Sequence, residues 1–145
     1  METRPRLGMY AAFGFHVPFD ERMGLIADAG FDCTSLCWEH KNERARELKL
    51  AAPGVEHAGK QGVVVAIENT RSDAHLNALF DHIDSKSLGL SYDISHDVLN
   101  SEEPGRLLRD HGSRLISTHF ADTDGILDRH WLPRRGCIDY AKMLR

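Results

Sequence analysis

No stretch of this chain approaches the roughly 20 consecutive apolar residues needed to span a bilayer, so no membrane partner is expected. Cysteine is scarce. Cys33, Cys37 and Cys137 are odd in number and lack Cys-x-x-Cys spacing, which reads as free thiols in a reducing cytoplasm. An excess of basic charge is also missing: the formal net charge is −4, whereas nucleic-acid surfaces are usually basic, so no nucleic-acid partner is expected. The N-terminal Met-Glu-Thr-Arg-Pro-Arg is polar and leads straight into a strand, unlike a secretory signal. No low-complexity segment or flexible linker divides the 145 residues, so residues 1–145 are expected to form one domain.

What is present is a soluble globular composition, 41% hydrophobic and 28% charged, patterned in alternating strands and helices. The stretch Gly62–Thr70, Gly-Val-Val-Val-Ala-Ile-Glu-Asn-Thr, is apolar on both faces and then ends in a carboxylate, an amide and a hydroxyl. Such a run reads as a buried strand of a parallel sheet. Leu88–His96 repeats the design and ends in Asp93 and His96; Arg114–Asp124 repeats it and ends in His119, Asp122 and Asp124. Glu68 to Asp93 is a step of 25 residues and Asp93 to His119 one of 26, about one strand–helix unit each. Acidic and imidazole groups therefore gather on the C-terminal rim of one sheet, where α/β folds place their ligands.

Along the chain, Leu7–Phe15 reads as a strand, Phe19–Ala29 as an amphipathic helix stopped by Gly30, and Phe31–Trp38 as a second strand. Lys41–Leu50 reads as a charged helix interrupted at Pro53-Gly54, with Val55–Gln61 the tail of another. Helices follow over Asp73–Ile83 and Glu102–His111, then a long polar loop over Asp122–Gly136 and a last helix over Ile138–Leu144. Composition and periodicity leave two arrangements open: an open parallel α/β sheet, or part of a (β/α)8 barrel.

Ala-Ile-Glu-Asn-Thr (66–70), Leu-Gly-Leu-Ser-Tyr-Asp-Ile-Ser-His (88–96), Thr-His-Phe-Ala-Asp-Thr-Asp-Gly (118–125) and Asp-Arg-His-Trp-Leu-Pro-Arg-Arg-Gly-Cys-Ile-Asp-Tyr (128–140) are similar, in order and spacing, to the sugar phosphate isomerase/epimerase family of xylose isomerase-like TIM barrels. Phe19–Asp32 resembles that family's first helix and the entry to its second strand. The resemblance implies an α/β fold of the TIM-barrel type, incomplete in this chain: strands one, two, five, six and seven, shortened between about residues 40 and 61 and truncated at the C-terminus.

It also implies a site. One divalent metal ion (Mn2+, Mg2+, Co2+ or Zn2+) would be held by Glu68, Asp93 and His119, with Glu68 as the catalytic acid/base. Two carboxylates and an imidazole suit a hard or borderline cation, which can polarise a sugar carbonyl while a carboxylate moves a proton between neighbouring carbons. His96, His130, Glu39 and Asp128 are the substrate-binding candidates. The family's second glutamate lies on the eighth strand and has no counterpart here. Blander readings stand beside these: Glu68 as a helix-capping carboxylate, His96 and His130 as surface-loop histidines, Asp122 and Asp124 as turn formers before Gly125. Phe13 and Trp38 could line the pocket or pack in the core.

The expected activity is thus a cytoplasmic, metal-dependent sugar or sugar phosphate isomerase or epimerase, with a possible homo-oligomer covering exposed sheet edges. Two alternatives remain: an endonuclease-IV-like metal-dependent hydrolase, which shares the barrel but binds three zinc ions through a larger ligand set, and a non-catalytic relative acting as a binding module.

Overall fold

The computed structural model describes residues 4, 6–11, 17–36, 44–71 and 73–143, at 19, 20, 36 and 44–51 by their main chain alone. Five strands alternate with helices: β1 (Gly8–Tyr10), α1 (Phe19–Asp28), β2 (Cys33–Leu36), α2 (Arg44–Lys60), β3 (Val64–Glu68), α3 (Asp73–His82), β4 (Leu88–Asp93), α4 (Ile94–Asn100), α5 (Arg106–His111), β5 (Leu115–His119) and α6 (Tyr140–Met143). A 3-10 turn, Gly112–Arg114, leads into β5.

Every strand pair is parallel, and the order across the sheet is the order along the chain, β1-β2-β3-β4-β5. That order decides between the two expected arrangements. A doubly wound open sheet reverses its strand order at a switch point and so places helices on both faces. Right-handed crossovers without a reversal keep all helices on one face, the arrangement of a barrel wall. The sheet is an incomplete barrel of the TIM type. Where the resemblance implies two further units between the second strand and Gly62, helix α2 is the only element among the described residues, and β2 pairs directly with β3 from Cys33↔Val64 to Leu36↔Ile67.

The core lies between the outer face of the sheet and the helices. Val65, Ile67, Leu88, Leu90 and Tyr92 point outward from the strands and are buried against Met23 and Ile26 of α1, Val55 and Ala58 of α2, Leu76, Leu79 and Phe80 of α3, and Leu107 of α5. β4 is buried along its whole length, with Leu88, Leu90 and Tyr92 facing the helices and Gly89, Ser91 and Asp93 facing the inside of the sheet. At roughly 1.5–3 kcal/mol per large apolar side chain removed from water, this cluster is the main source of stability.

Several expected boundaries shift for identifiable reasons. The break at Pro53-Gly54 does not occur, because α2 runs unbroken through Pro53; the loss of one main-chain donor is tolerated inside a helix packed against the sheet. The expected strand to His96 stops at Asp93, whose side chain caps α4. The helix expected from Glu102 begins at Arg106, because Gly105 takes a left-handed φ of 89°, which glycine adopts at no steric cost. The last helix spans Tyr140–Met143, with Asp139 Oδ1 accepting from the Lys142 N–H. Phe13, Cys37, Trp38 and Glu39 lie outside the described residues.

Candidate metal centre

Glu68, Asp93 and His119 are the last residues of β3, β4 and β5. Asp93 pairs directly with His119 across the β4–β5 ladder, and Glu68 pairs with Ser91, two residues before Asp93. Adjacent parallel strands thereby deliver three side chains to one rim. His119 Nδ1 stands 3.4 Å from Glu68 Oε1 and 3.4 Å from Asp93 Oδ2. Glu68 and Asp93 side chains are 9% and 2% exposed, while His119 is half exposed toward the cavity.

Asp93 divides its two oxygens between two tasks. Oδ1 accepts from the Ser95 N–H at 2.8 Å, the His96 N–H at 3.0 Å and Ser95 Oγ at 2.7 Å. These bonds make it the N-cap of α4, satisfying donors that a helix start leaves unpaired. Oδ2 is left facing His119 Nδ1. The cap fixes the carboxylate plane, so the free oxygen points into the site with little freedom.

His96, one turn into α4, bridges the carboxylates. Its Nδ1 lies 3.2 Å from Glu68 Oε1 and donates to the main-chain oxygen of Asn69 at 3.0 Å; its Nε2 lies 2.9 Å from Asp128 Oδ2. The Glu68 hydrogen bond, against the opposing effect of burial and with help from Asp93 and Asp128, pushes the imidazole up to about 9. With acceptors at both nitrogens, His96 is an imidazolium at neutral pH. His130 Nε2 approaches the same Asp128 oxygen at 2.7 Å. Burial alone would raise the Asp128 carboxyl, but the hydrogen bonds from His96 and His130 outweigh it and hold it below its ordinary value. Ser95 Oγ also lies 3.1 Å from Asp128 Oδ1, linking this group to Asp93.

The loop carrying Asp128 and His130 is held by Asp122 and Asp124, the two aspartates read from the sequence as turn formers. Asp122 is fully buried, and its Oδ1 accepts from the N–H groups of Thr123 and Ile138. Its main chain bridges to Trp131 in both directions. Asp124 accepts from the N–H groups of Ile126 and Leu127 and from Arg129 Nε. The Leu127 N–H, the Arg129 guanidinium and the Ile126 N–H pull its carboxyl down to about 2. The Asp124 carboxylate and Asp122 Oδ1 are spent on the loop, while the buried Asp122 Oδ2 has no hydrogen-bond partner among the described residues.

A cavity of about 1130 Å³ opens over these groups, lined at this end by Glu68, Arg71, His96, His119, Asp128 and His130. The donors Glu68, Asp93 and His119 lie within 4.8 Å of one another, as do His96, Asp128 and His130. The first set fits a divalent cation on two counts. Ligands at about 2.0–2.2 Å from a metal lie roughly 3 Å from each other, close to the 3.4 Å separations seen here. And the donor set is two carboxylate oxygens and one imidazole nitrogen, with Asp93 Oδ2 left outside the helix cap, the combination a hard or borderline cation takes.

The structure therefore brings Glu68, His96, His119, Asp128 and His130 to one cavity, with Asp93 buried beside His119, while Glu39 lies outside the described residues. Sequence reasoning missed the roles of Asn69 and Ser95. The amide after Glu68 was visible, but its partner across the sheet was not. For Ser95, the Asp-x-Ser spacing at a strand-to-helix junction is a capping signal.

Residues 44–145 match the family described as xylose isomerase-like TIM barrel. The chain belongs to this family. It is similar to uncharacterized protein y4fM of Sinorhizobium fredii, 38% identical over 92 residues, a match covering 58% of this chain and 29% of that protein. The chain thus spans under a third of that relative. Among solved structures it is similar to a D-tagatose 3-epimerase-like protein (19% identity, TM-score 0.77, covering 96% of this chain and 64% of that one). The 3-keto-D-glucoside 4-epimerase YcjR from E. coli is also similar (15% identity, TM-score 0.67, 87% and 55%). So is the probable 3-DHS dehydratase AsbF from Bacillus anthracis (12% identity, TM-score 0.73, 94% and 63%). At these identities the likeness is one of fold, and that fold hosts both epimerase and dehydratase chemistry. Among the described residues no helix is long and apolar enough to cross a membrane.

Proposed function

We propose that this chain carries a mononuclear divalent-metal site of a sugar isomerase or epimerase, with Glu68, Asp93 and His119 as ligands and Glu68 as the acid/base. The observation that carries the reading is the convergence of Glu68 Oε1 and Asp93 Oδ2 on His119 Nδ1 at the ends of three adjacent strands. A bound divalent cation would supply Lewis-acid polarisation of a substrate carbonyl. Asp93 contributes a fixed oxygen, oriented by the α4 cap. Glu68 takes a proton from the carbon beside the carbonyl and returns it to a neighbouring position. His96, hydrogen-bonded between Glu68 and Asp128, sets its ring beside the base. Asp128 and His130 form the rim against which a polyhydroxylated substrate docks.

The test is proton exchange. With Mn2+, Mg2+, Co2+ or Zn2+ and a panel of ketoses in D2O, NMR should show deuterium entering at the carbon next to the carbonyl. Glu68→Gln should reduce that exchange by about 10²-fold or more. Metal-loaded protein that exchanges no proton with any sugar or sugar phosphate would refute the catalytic part of the proposal.

One observation favours a second reading. His96 Nε2 and His130 Nε2 meet on a single Asp128 oxygen, and the Nδ1–H of His96 is already directed at the Asn69 carbonyl, as is usual for a metal-bound histidine. A second cation there would turn the site toward an endonuclease-IV-like hydrolase. More than one equivalent of tightly bound zinc and cleavage of abasic DNA support it; a single equivalent and no cleavage exclude it.

A further inference from the structure

Beyond Glu68 the main chain leaves the sheet to reach α3, yet Asp93, two residues past the paired Ser91, still needs partners on that side. Asn69 supplies them with its side chain. Its Oδ1 accepts from the Asp93 N–H at 2.7 Å and its Nδ2 donates to the Asp93 carbonyl at 2.8 Å. A side-chain amide thus stands in for the peptide group that β3 no longer offers. Asn69 is 3% exposed, so these bonds meet little competition from water. Its own main-chain oxygen accepts from His96 Nδ1. One residue therefore grips the main chain of a candidate ligand and the ring of its neighbour.

We propose that Asn69 is the positioning residue of the metal centre, holding Asp93 so that Oδ2 stays directed at His119. The proposal rests on the metal-site reading above. Asparagine is suited to the place because its fork carries one donor and one acceptor at the reach of a peptide group. Aspartate would keep the acceptor for the Asp93 N–H but set a second oxygen against the Asp93 carbonyl. Alanine would leave both main-chain groups buried and unpaired.

The experiment is a Co2+ titration of wild type, Asn69→Asp and Asn69→Ala, followed by visible absorption, with the melting temperature of each metal-free protein measured alongside. Both variants should bind Co2+ about 10–100-fold more weakly, and their d–d bands should change in position or intensity. A purely structural role lowers the melting temperature but leaves the spectrum of bound Co2+ unaltered. Asn69→Asp matches wild type in size and decides the question if Asn69→Ala does not fold. Wild-type Co2+ affinity and spectrum in Asn69→Asp would overturn the assignment while leaving the metal centre standing. Failure of the wild type itself to bind Co2+ would overturn the metal centre and this inference with it.

Discussion

Oδ2 of Asp93 faces Nδ1 of His119 across 3.4 Å, while the other oxygen of the same carboxylate caps a helix. Structure and chemistry are separable at this one residue. Asp93→Asn should retain most of the cap, since asparagine caps as well as aspartate, whereas Asp93→Ala should cost the metal-free protein about 1 kcal/mol more. Both should lose metal affinity. Urea unfolding of the two variants, paired with metal titration, checks the separation.

Binding of a cation to the folded state should raise thermal stability. At a hundredfold excess over Kd the gain is about 2.7 kcal/mol, worth roughly 5–10 °C for a chain of this length. His119→Ala should abolish the rise. It should leave the metal-free melting temperature nearly unchanged, because His119 is half exposed. Thermal melts with and without Mn2+ or Co2+ give the answer.

His96 supplies a pH dependence. Its folded-state value is raised to about 9, chiefly by the Glu68 hydrogen bond, above the unperturbed value of about 6.5. The stability it contributes is therefore fully present below about pH 6.5 and is lost as the pH climbs through 9. Metal-free wild type should lose more stability than His96→Gln between pH 6 and pH 10. Parallel melts across that range measure the difference, and equal slopes would show that His96 is not held as the cation.

The loop that presents Asp128 and His130 depends on a close approach at Gly136. A Cβ there would meet the Thr123 carbonyl at 2.1 Å and Asp122 Oδ1 at 2.4 Å. Gly136→Ala should destabilise the protein by about 1–3 kcal/mol, and amide exchange should quicken at Thr123 and Ile138, where Asp122 anchors the loop.

The rim of the sheet was legible because its signals are local. A buried run ending in a polar group, repeated at intervals of 25 and 26 residues, is enough to align Glu68, Asp93 and His119 on neighbouring parallel strands. The closure of β2 onto β3 was not legible, because strand neighbours are chosen by long-range packing rather than by spacing. Nor was the continuity of α2 through Pro53, where helix propensity argued for a break and burial of Val55 and Ala58 prevailed. The capping role of Asp93 was hidden by the apolar run before it, which suggested a longer strand. The amide bridge from Asn69 to Asp93 joins residues 24 apart, and only the fold reveals it.

The central claim, that Glu68, Asp93 and His119 hold one divalent cation, is tested most directly by isothermal titration of the metal-free protein with Co2+. Wild type should bind a single equivalent saturably, and the Glu68→Gln/Asp93→Asn double variant none. Absence of binding to wild type, or unchanged binding in the double variant, would contradict it.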